Sequence, residues 1–302
     1  MKVYTTEIKE HDNWKIIENE IKKIKIKGIF VSFCDIFFTE NKKIINNTWY
    51  GIIHNPIGWE NFTPWGNKEI IFNNKYFLKS LKYCKIIYVL AKTQILPTKK
   101  FLSDKGFRNI NVILLYHPLI KSNNNFNFEK YKQNKNKRIY SIGNWLRKQY
   151  TIFELKCNLK FEKVIIPFTR RTKLELEYYT IRDNIKLTNK ELNSVKKIDF
   201  IPKYEYNRLF EDNLIFLDVY LTTINNTFLE AIISNTPIIL NRKKEYIDII
   251  GNKYPLFFDN INDINSFIED DNNILNAHNY LKNVDKKKLG IKYFIEQIIK
   301  SI

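Results

Sequence analysis

The feature that most constrains this chain is an alternation of short apolar runs with amphipathic ones. "KYFLKSLKYC" has helical spacing, "KIIYVLA" (Lys85 to Ala91) reads as a strand, "TQILPTKKFLSDKG" as a helix and "INVILLYHP" (Ile110 to Pro118) as a strand. Pro97 falls in the first turn of that second helix, where its missing N–H is tolerated, and Gly106 closes it. The alternation returns after Arg138. "RIYSIGNW", "EKVIIPF", "KKIDFIP", "LIFLDVYL" and "TPIIL" read as strands, separated by "LRKQYTIFELKC", "TKLELEYYTIRD", "KYEYNRLFEDN" and the helix of "NNTFLEAIIS". Strand–helix–strand at this spacing predicts right-handed crossovers and parallel sheets.

Ahead of the first alternation lie a helix from Asp12 to Lys23 and two strands, Gly28 to Phe38 and Thr48 to Pro56. Between the two halves, Ile120 to Arg138 is Asn- and Lys-rich and poor in aliphatics, so it reads as a linker. Asn260 to Lys282 is less regular and helical in part. The tail carries Ile291, Phe294, Ile295, Ile298, Ile299 and Ile302, a wide apolar stripe that predicts a docked terminal helix.

A chain of 302 residues with 44% hydrophobic content can bury a sizeable core, and its length suits two α/β units. The formal net charge of +18 has two readings. One is an anionic partner such as a nucleotide, nucleic acid or acidic membrane face; the other is the Lys-, Asn- and Ile-rich usage of an AT-rich genome. The scatter of lysines along the chain favours the second. Cys34, Cys84 and Cys157 sit in or beside apolar runs without a CxxC, and the four histidines lack ligand spacing, so no metal site is expected. No membrane-spanning run or signal peptide is legible, which leads to an expected cytoplasmic location.

Ligands of parallel sheets bind beyond the carboxyl ends of the strands, so the strand ends repay close reading. "SIGNWLRKQ" offers Gly143 for a tight turn, then Arg147 and Lys148 in the first turn of the expected helix. Cations there oppose the helix dipole, and a bound anion would cancel that penalty; two solvated basic residues are the alternative. Arg170 and Arg171 repeat the idea in "IIPFTRRTK". "TTINNTFLEAIISNTPIIL" poses a different question. Thr227 and Glu230 have the spacing of a capping box, in which Glu230 reaches back to the Thr227 N–H. In the other reading, Asn225, Asn226 and Thr227 seat a diphosphate at a helix start, and Glu230 accepts from a pair of ribose hydroxyls.

The segment "NNTFLEAIISNTPIILNRKKEYIDIIG" resembles the donor-site segment of GT-B glycosyltransferases, family-4-like ones especially. Glu230 matches the ribose-binding Glu, Pro237 the following Pro, and Glu245 falls near a later Glu. "IGNWLRK" resembles the glycine turn whose Arg and Lys hold the donor diphosphate, and "IDFIPKYEYNRLF" the segment whose backbone holds the nucleobase, around Phe200, Ile201 and Tyr204. The resemblance extends from about Gly51 onward. The chain departs from the family where Thr222 stands eight residues before Glu230 in place of Glu, and where the early Gly-rich loop is missing.

The resemblance implies two Rossmann-like parallel α/β domains facing a cleft, with a C-terminal helix packing back. The domains would be an acceptor-side one over 1–120, a linker over 121–137, a nucleotide-sugar-binding one over 138–285, and the terminal helix over 286–302. It implies metal-independent transfer of a sugar from a nucleoside diphosphate sugar to a hydroxyl of a glycan or other acceptor, with no cofactor beyond the donor. Its donor residues would be Gly143, Arg147, Lys148, Phe200, Ile201, Tyr204, Asn225, Asn226, Thr227 and Glu230. An inverting course needs a base, for which His54 is a candidate and Asp35 a second. Trp59 and Trp65, with Phe62, either stack on an acceptor sugar or form a local core. Two alternatives are a catalytically inactive GT-B-like protein and a basic nucleic-acid binder. Peripheral membrane contact is compatible with the transferase reading, for which no nucleic acid is expected as partner.

Overall fold

The computed structural model describes residues 1–4, 12–25, 27–64, 71–119, 124–157 and 160–302. The chain divides into two compact units. The first comprises Met1–Ile120, Thr222–Ile224 and Lys286–Ile302; the second comprises Lys121–Leu221 and Asn225–Asp285.

The first unit holds a parallel sheet of β1 (Lys2–Tyr4), β2 (Ile29–Val31), β3 (Trp49–Ile53), β4 (Cys84–Val89) and β5 (Asn111–Leu114), in that spatial order. Both faces are buried, and the side chains sort by the two-residue period of a strand. Val31, Trp49, Ile53, Ile87 and Val89 enter one cluster, with Phe38, Phe77 and Leu102 from α2 (Cys34–Asn41), α3 (Lys75–Ser80) and α4 (Ile95–Asp104). Phe30, Tyr50, Ile52, Ile86 and Tyr88 enter the other, with Trp14, Ile17 and Ile21 of α1 (Asp12–Lys22). The terminal helix, Ile291–Ser301, adds Phe294 and Ile298 to this second face, and Tyr88 Oη meets Ser301 Oγ at 2.6 Å. The apolar stripe of the tail therefore docks, although Ile299 stays half exposed.

The expected strand Gly28 to Phe38 is corrected: β2 stops at Val31, and α2 begins at Cys34. Cys34, Phe37 and Phe38 bury at helical offsets, but a doubly buried strand and a buried helix are both continuous apolar runs. Gly51 lets α2 approach the sheet, since a Cβ there would lie 2.4 Å from Cys34 Sγ.

The second unit opens with α5 (Phe128–Gln133), inside the stretch read as a linker. Asn127 caps it, Tyr131 is fully buried, and the Phe126 and Asn127 N–H groups bond Ser234 O and Glu211 O at 2.7 Å. Its parallel sheet contains β6 (Lys137–Ile142), β7 (Phe161–Ile166), β8 (Val195–Lys197), β9 (Leu214–Leu217), β10 (Ile238–Asn241) and β11 (Phe257–Phe258). The spatial order is β11-β10-β9-β6-β7-β8, so the winding reverses between β6 and β9. The helices are α6 (Thr151–Glu154), α7 (Arg170–Arg182), α8 (Asn189–Asn193), α9 (Lys203–Asp212), α10 (Asn226–Ser234), α11 (Lys244–Ile250), α12 (Ile264–Glu269) and α13 (Asp271–Asn283).

The helix expected from Leu146 is also corrected, since α6 spans only Thr151–Glu154. Leu146 has φ +57, and Arg147 forms an antiparallel bridge with Val219. Tyr220 N bonds Leu146 O at 3.0 Å, and Lys148 N bonds Asp218 O at 2.9 Å. The backbone of Leu146 to Lys148 is thus paired with the chain leaving β9. Arg147 and Lys148 lie in that extended pairing instead of a helical first turn.

Candidate functional site

In an open parallel sheet the loops leaving two strands on either side of a winding reversal diverge and leave a crevice. In the second unit those strands are β6 and β9. The chain leaving β6 turns at Gly143, whose φ is +82 and whose N–H bonds Ile166 O at 2.7 Å. A Cβ on Gly143 would stand 3.3 Å from Arg147 Nη2, so the glycine makes room for that guanidinium. Arg147 is 7% exposed, and its Nε and Nη1 make long 3.4 Å bonds to Ile142 O and Trp145 O. Burial lowers its pKa, while the acidic groups around it, Tyr246, Tyr206, Glu175 and Tyr179, act in the opposite direction.

The chain leaving β9 leads into α10. Asn225, and not Thr227, is the cap: its Oδ1 accepts the Phe228 N–H at 2.9 Å. The capping-box reading of Glu230 is thereby overturned. Glu230 Oε2 instead accepts a 2.5 Å hydrogen bond from the Tyr206 hydroxyl on α9. Burial raises the Glu230 carboxyl to about 7, against a lowering by the Tyr206 bond. The Tyr206 phenol is itself raised, by burial and by Glu230, and Arg147 and the Thr227 side chain oppose this. Tyr246 stacks on Phe228 at 4.6 Å and accepts from Asn225 Nδ2 at 2.8 Å. Two of the tyrosines that act on the Arg147 charge thus touch α10 or its cap: Tyr206 at Glu230, and Tyr246 at Asn225 and Phe228.

A second polar group sits at the β9 exit. Asp218 is buried, and its Oδ1 lies 3.5 Å from Lys148 Nζ. Burial raises its carboxyl to about 6, with Lys148 and then Lys243 acting against that. On α7, Glu175 is 1% exposed and accepts from Arg171 Nε at 3.1 Å, while its Oε2 has no hydrogen-bond partner among the described residues. Burial raises it to about 7. Arg171 also lies over the Trp145 ring, 5.4 Å from its centroid.

The remaining residues singled out in the sequence fall as follows. Phe200 and Tyr204 are 79% and 63% exposed, Ile201 is partly exposed, and the Tyr204 hydroxyl bonds Glu205 at 2.8 Å. In the first unit, Trp59 is buried and Phe62 partly so, while Trp65 lies outside the described residues. His54 stacks on Phe33 at 3.8 Å and meets Trp14 edge-on at 4.8 Å. Its N–H donates to Asp35 Oδ2 at 2.7 Å, and its carbonyl accepts from Thr223 Oγ1 at 2.5 Å. Asp35 is 6% exposed, and burial raises its carboxyl to about 6 against the backbone N–H bonds that it accepts. His117 also packs on Trp14, at 5.1 Å, and its Nδ1 pairs with Pro118 O. Sequence reading missed Tyr206, Asp218, Lys243 and Tyr246. Tyr206 lies two residues past Tyr204, but nothing in its spacing marks it as Glu230's partner. Among the described residues no group of three or more His, Cys, Asp or Glu side chains is placed to hold a metal ion, and no helix is long and apolar enough to cross a membrane.

No known protein-family profile matches the chain, and no curated protein sequence matches it. Solved structures do. The chain is similar to HepE of Anabaena in complex with UDP-glucose, with TM-score 0.62 and 11% identity over 95% of this chain and 80% of that one. It is similar to a UDP-forming α,α-trehalose-phosphate synthase of Burkholderia xenovorans, with TM-score 0.61 and 11% identity over 96% and 76%. It is also similar to sucrose-phosphate synthase of Thermosynechococcus elongatus, with TM-score 0.61 and 10% identity over 98% and 79%. With its two parallel α/β sheets and flanking helices, the chain has the GT-B fold.

Proposed function

We propose that this protein is a glycosyltransferase that moves a sugar from a nucleoside diphosphate sugar to a hydroxyl acceptor, with the donor held in the second unit. The observation that carries this reading is that Tyr206 and Tyr246, both of which act on the charge of the buried Arg147 beyond β6, are hydrogen-bonded to Glu230 of α10 and to its cap Asn225 beyond β9. Among the described residues that buried guanidinium holds only long backbone bonds, with Glu175 acting on its charge, so a phosphate oxygen would compensate it further. Glu230 accepts hydrogen bonds and the vicinal hydroxyls of a pentose donate them; Tyr206 occupies that acceptor until a ligand replaces it. The exposed rings of Phe200 and Tyr204 offer apolar surface to a base.

As the glycosidic bond breaks, negative charge gathers on the diphosphate. Arg147, Lys148 and the N–H groups of Asn226 and Thr227 stabilise that charge, which is where the rate enhancement arises. Side chains and main-chain dipoles carry the leaving group in this reading, rather than a metal ion. In an inverting course base duty falls to Asp35 or His54; a retaining course uses neither. Which hexose or other sugar is moved follows from the acceptor and donor assays below.

The test is a thermal-shift and turnover panel. Nucleoside diphosphates and their sugar conjugates are expected to raise the melting temperature, by the linkage of binding to folding. One conjugate is expected to be hydrolysed slowly alone and consumed faster with a hydroxyl acceptor. The reading fails if no nucleotide stabilises the protein while an oligonucleotide does so with steep salt dependence.

A further inference from the structure

The second unit presents a helix face that the reading above does not use. Along α7, Arg170, Leu174, Glu177 and Ile181 recur at helical offsets, which puts them on one side of the helix. The far side buries Thr172, Glu175, Leu176 and Tyr179. Leu174 is 46% exposed and Ile181 76%, so two aliphatic side chains about two turns apart stand in water. Lys173, Glu177 and Thr180, the row beside that face, line an open cavity of about 280 Å³. Leu176, Ile185, Leu187 and Leu192 give the cavity apolar walls.

The charges around these features are one-sided. Between Phe168 and Phe200 most acids are committed within the protein. Glu175 is buried and accepts from Arg171, Asp183 accepts from the Tyr150 and Tyr220 hydroxyls, and Glu191 closes the capping box of α8. Glu177 and Asp199 are the exposed ones. Against them, Arg170, Lys173, Lys186 and Lys190 are exposed and have no ion pair among the described residues. Lys186 stands between the cavity residues Ile185 and Leu187, and Lys190 shares α8 with Leu192, so these cations ring the cavity.

Such a surface fits a bilayer that carries anionic lipids. Aliphatic side chains gain by entering the acyl boundary, and cations gain by meeting headgroup phosphates, which impose no fixed geometry. A single-stranded nucleic acid calls instead for exposed aromatic rings beside the cations. Here Phe168 is buried, and Tyr178 is partly buried and packs edge-on against Tyr179 at 5.5 Å. A protein interface draws on aromatic residues and arginine and is depleted in lysine, yet lysine supplies most of the unpaired charge on this surface.

We propose that this face of α7 docks on an anionic membrane surface. Leu174 and Ile181 enter the boundary between headgroups and acyl chains, the four unpaired cations meet lipid phosphates, and a lipid chain lies in the adjoining cavity. Glu177 is the group on the face that opposes docking. None of the proposed donor residues takes part, so this assignment stands or falls separately from the sugar-transfer reading.

The experiment is co-sedimentation of the whole protein with vesicles of phosphatidylcholine alone and of phosphatidylcholine mixed with phosphatidylglycerol. The variants are Leu174→Ser with Ile181→Ser, Lys173→Gln with Lys190→Gln, and Glu177→Gln. Ile299→Ser, at a half-exposed position of the terminal helix, is the control. Circular dichroism melts check that each is folded. Wild type is expected to bind the mixed vesicles, less so as salt rises, and the neutral ones at least tenfold more weakly. Each double variant is expected to lose about tenfold on the mixed vesicles, Glu177→Gln to gain severalfold, and Ile299→Ser to match wild type. Absent or equal binding to the two vesicles, unchanged binding in both double variants, or an equal loss in Ile299→Ser overturns the proposal. So does an oligonucleotide or polyglutamate that binds this face, by the same variants, while vesicles do not.

Discussion

Glu230 offers the sharpest test, because one substitution moves stability and binding in opposite directions. In an unfolded chain its carboxyl ionises near its ordinary value of 4.5; in the folded protein burial raises this to about 7. Between those values the folded state keeps a proton that the unfolded state has lost. The stabilising contribution is therefore fully present below pH 4.5 and is lost as pH rises through 7. At about 1.36 kcal/mol per pH unit, the ionised group costs the folded protein about 3 kcal/mol. Partial exposure of the side chain reduces this to about 2 kcal/mol. Glu230→Gln keeps an acceptor for the Tyr206 hydroxyl, bonded at 2.5 Å in the wild type, and removes the charge. In urea unfolding followed by far-UV circular dichroism, the variant is expected to be about 2 kcal/mol more stable than wild type at pH 8 and equal to it near pH 4. Nucleotide affinity is expected to fall about tenfold, since an amide presents one acceptor where the carboxylate presents two. A variant with no gain at pH 8, or with the same gain at pH 4, refutes the account of a strained, ligand-seeking carboxylate.

Other perturbations follow from the same geometry. Gly143→Ala and Gly106→Ala both force an alanine to positive φ, +82 and +84, and each is expected to lose about 1 kcal/mol; only the first meets Arg147, so only it is expected to lose diphosphate affinity, and equal binding losses would separate Gly143 from Arg147. Asn241→Ala removes both bonds to Val219 and is expected to cost about 2 kcal/mol in chemical denaturation, with a weaker diphosphate complex. Asp35→Leu leaves the His54 N–H without its acceptor and is expected to cost about 2 kcal/mol. Asp35→Asn retains the acceptor and should flatten the loss of stability that the wild type shows as pH rises from 3.8 through about 6, measured by unfolding across that interval.

Much of the fold is written locally. The runs at Thr48 to Pro56, Lys85 to Ala91 and Arg138 to Trp145 name their strands because β-branched and aromatic side chains cluster between turn residues; β3 lies within the first, and β4 and β6 each begin one residue ahead of theirs. The helical offsets of Trp14, Ile17 and Ile21 name α1, and those of Phe294 and Ile298 name the terminal helix. Gly143 was legible as a turn because its place between a strand and a basic segment demands one. The run from Gly28 to Phe38 was not legible, because burial on every side erases the period that separates strand from helix.

For the candidate site, sequence by itself determined which chemical groups stand at the strand ends: Arg147, Lys148, the Asn225–Thr227 turn and Glu230. Only the tertiary structure decided what each one faces. The extended pairing of Leu146 to Lys148 depends on main-chain partners at Asp218 and Tyr220, and Glu230 is bonded by a tyrosine 24 residues earlier on a different helix. The strand order places β6 beside β9 although two other strands separate them along the chain. Propensity and periodicity act over neighbouring residues, whereas buried charge and hydrogen-bond demand are settled by whichever groups the packed sheet brings within reach.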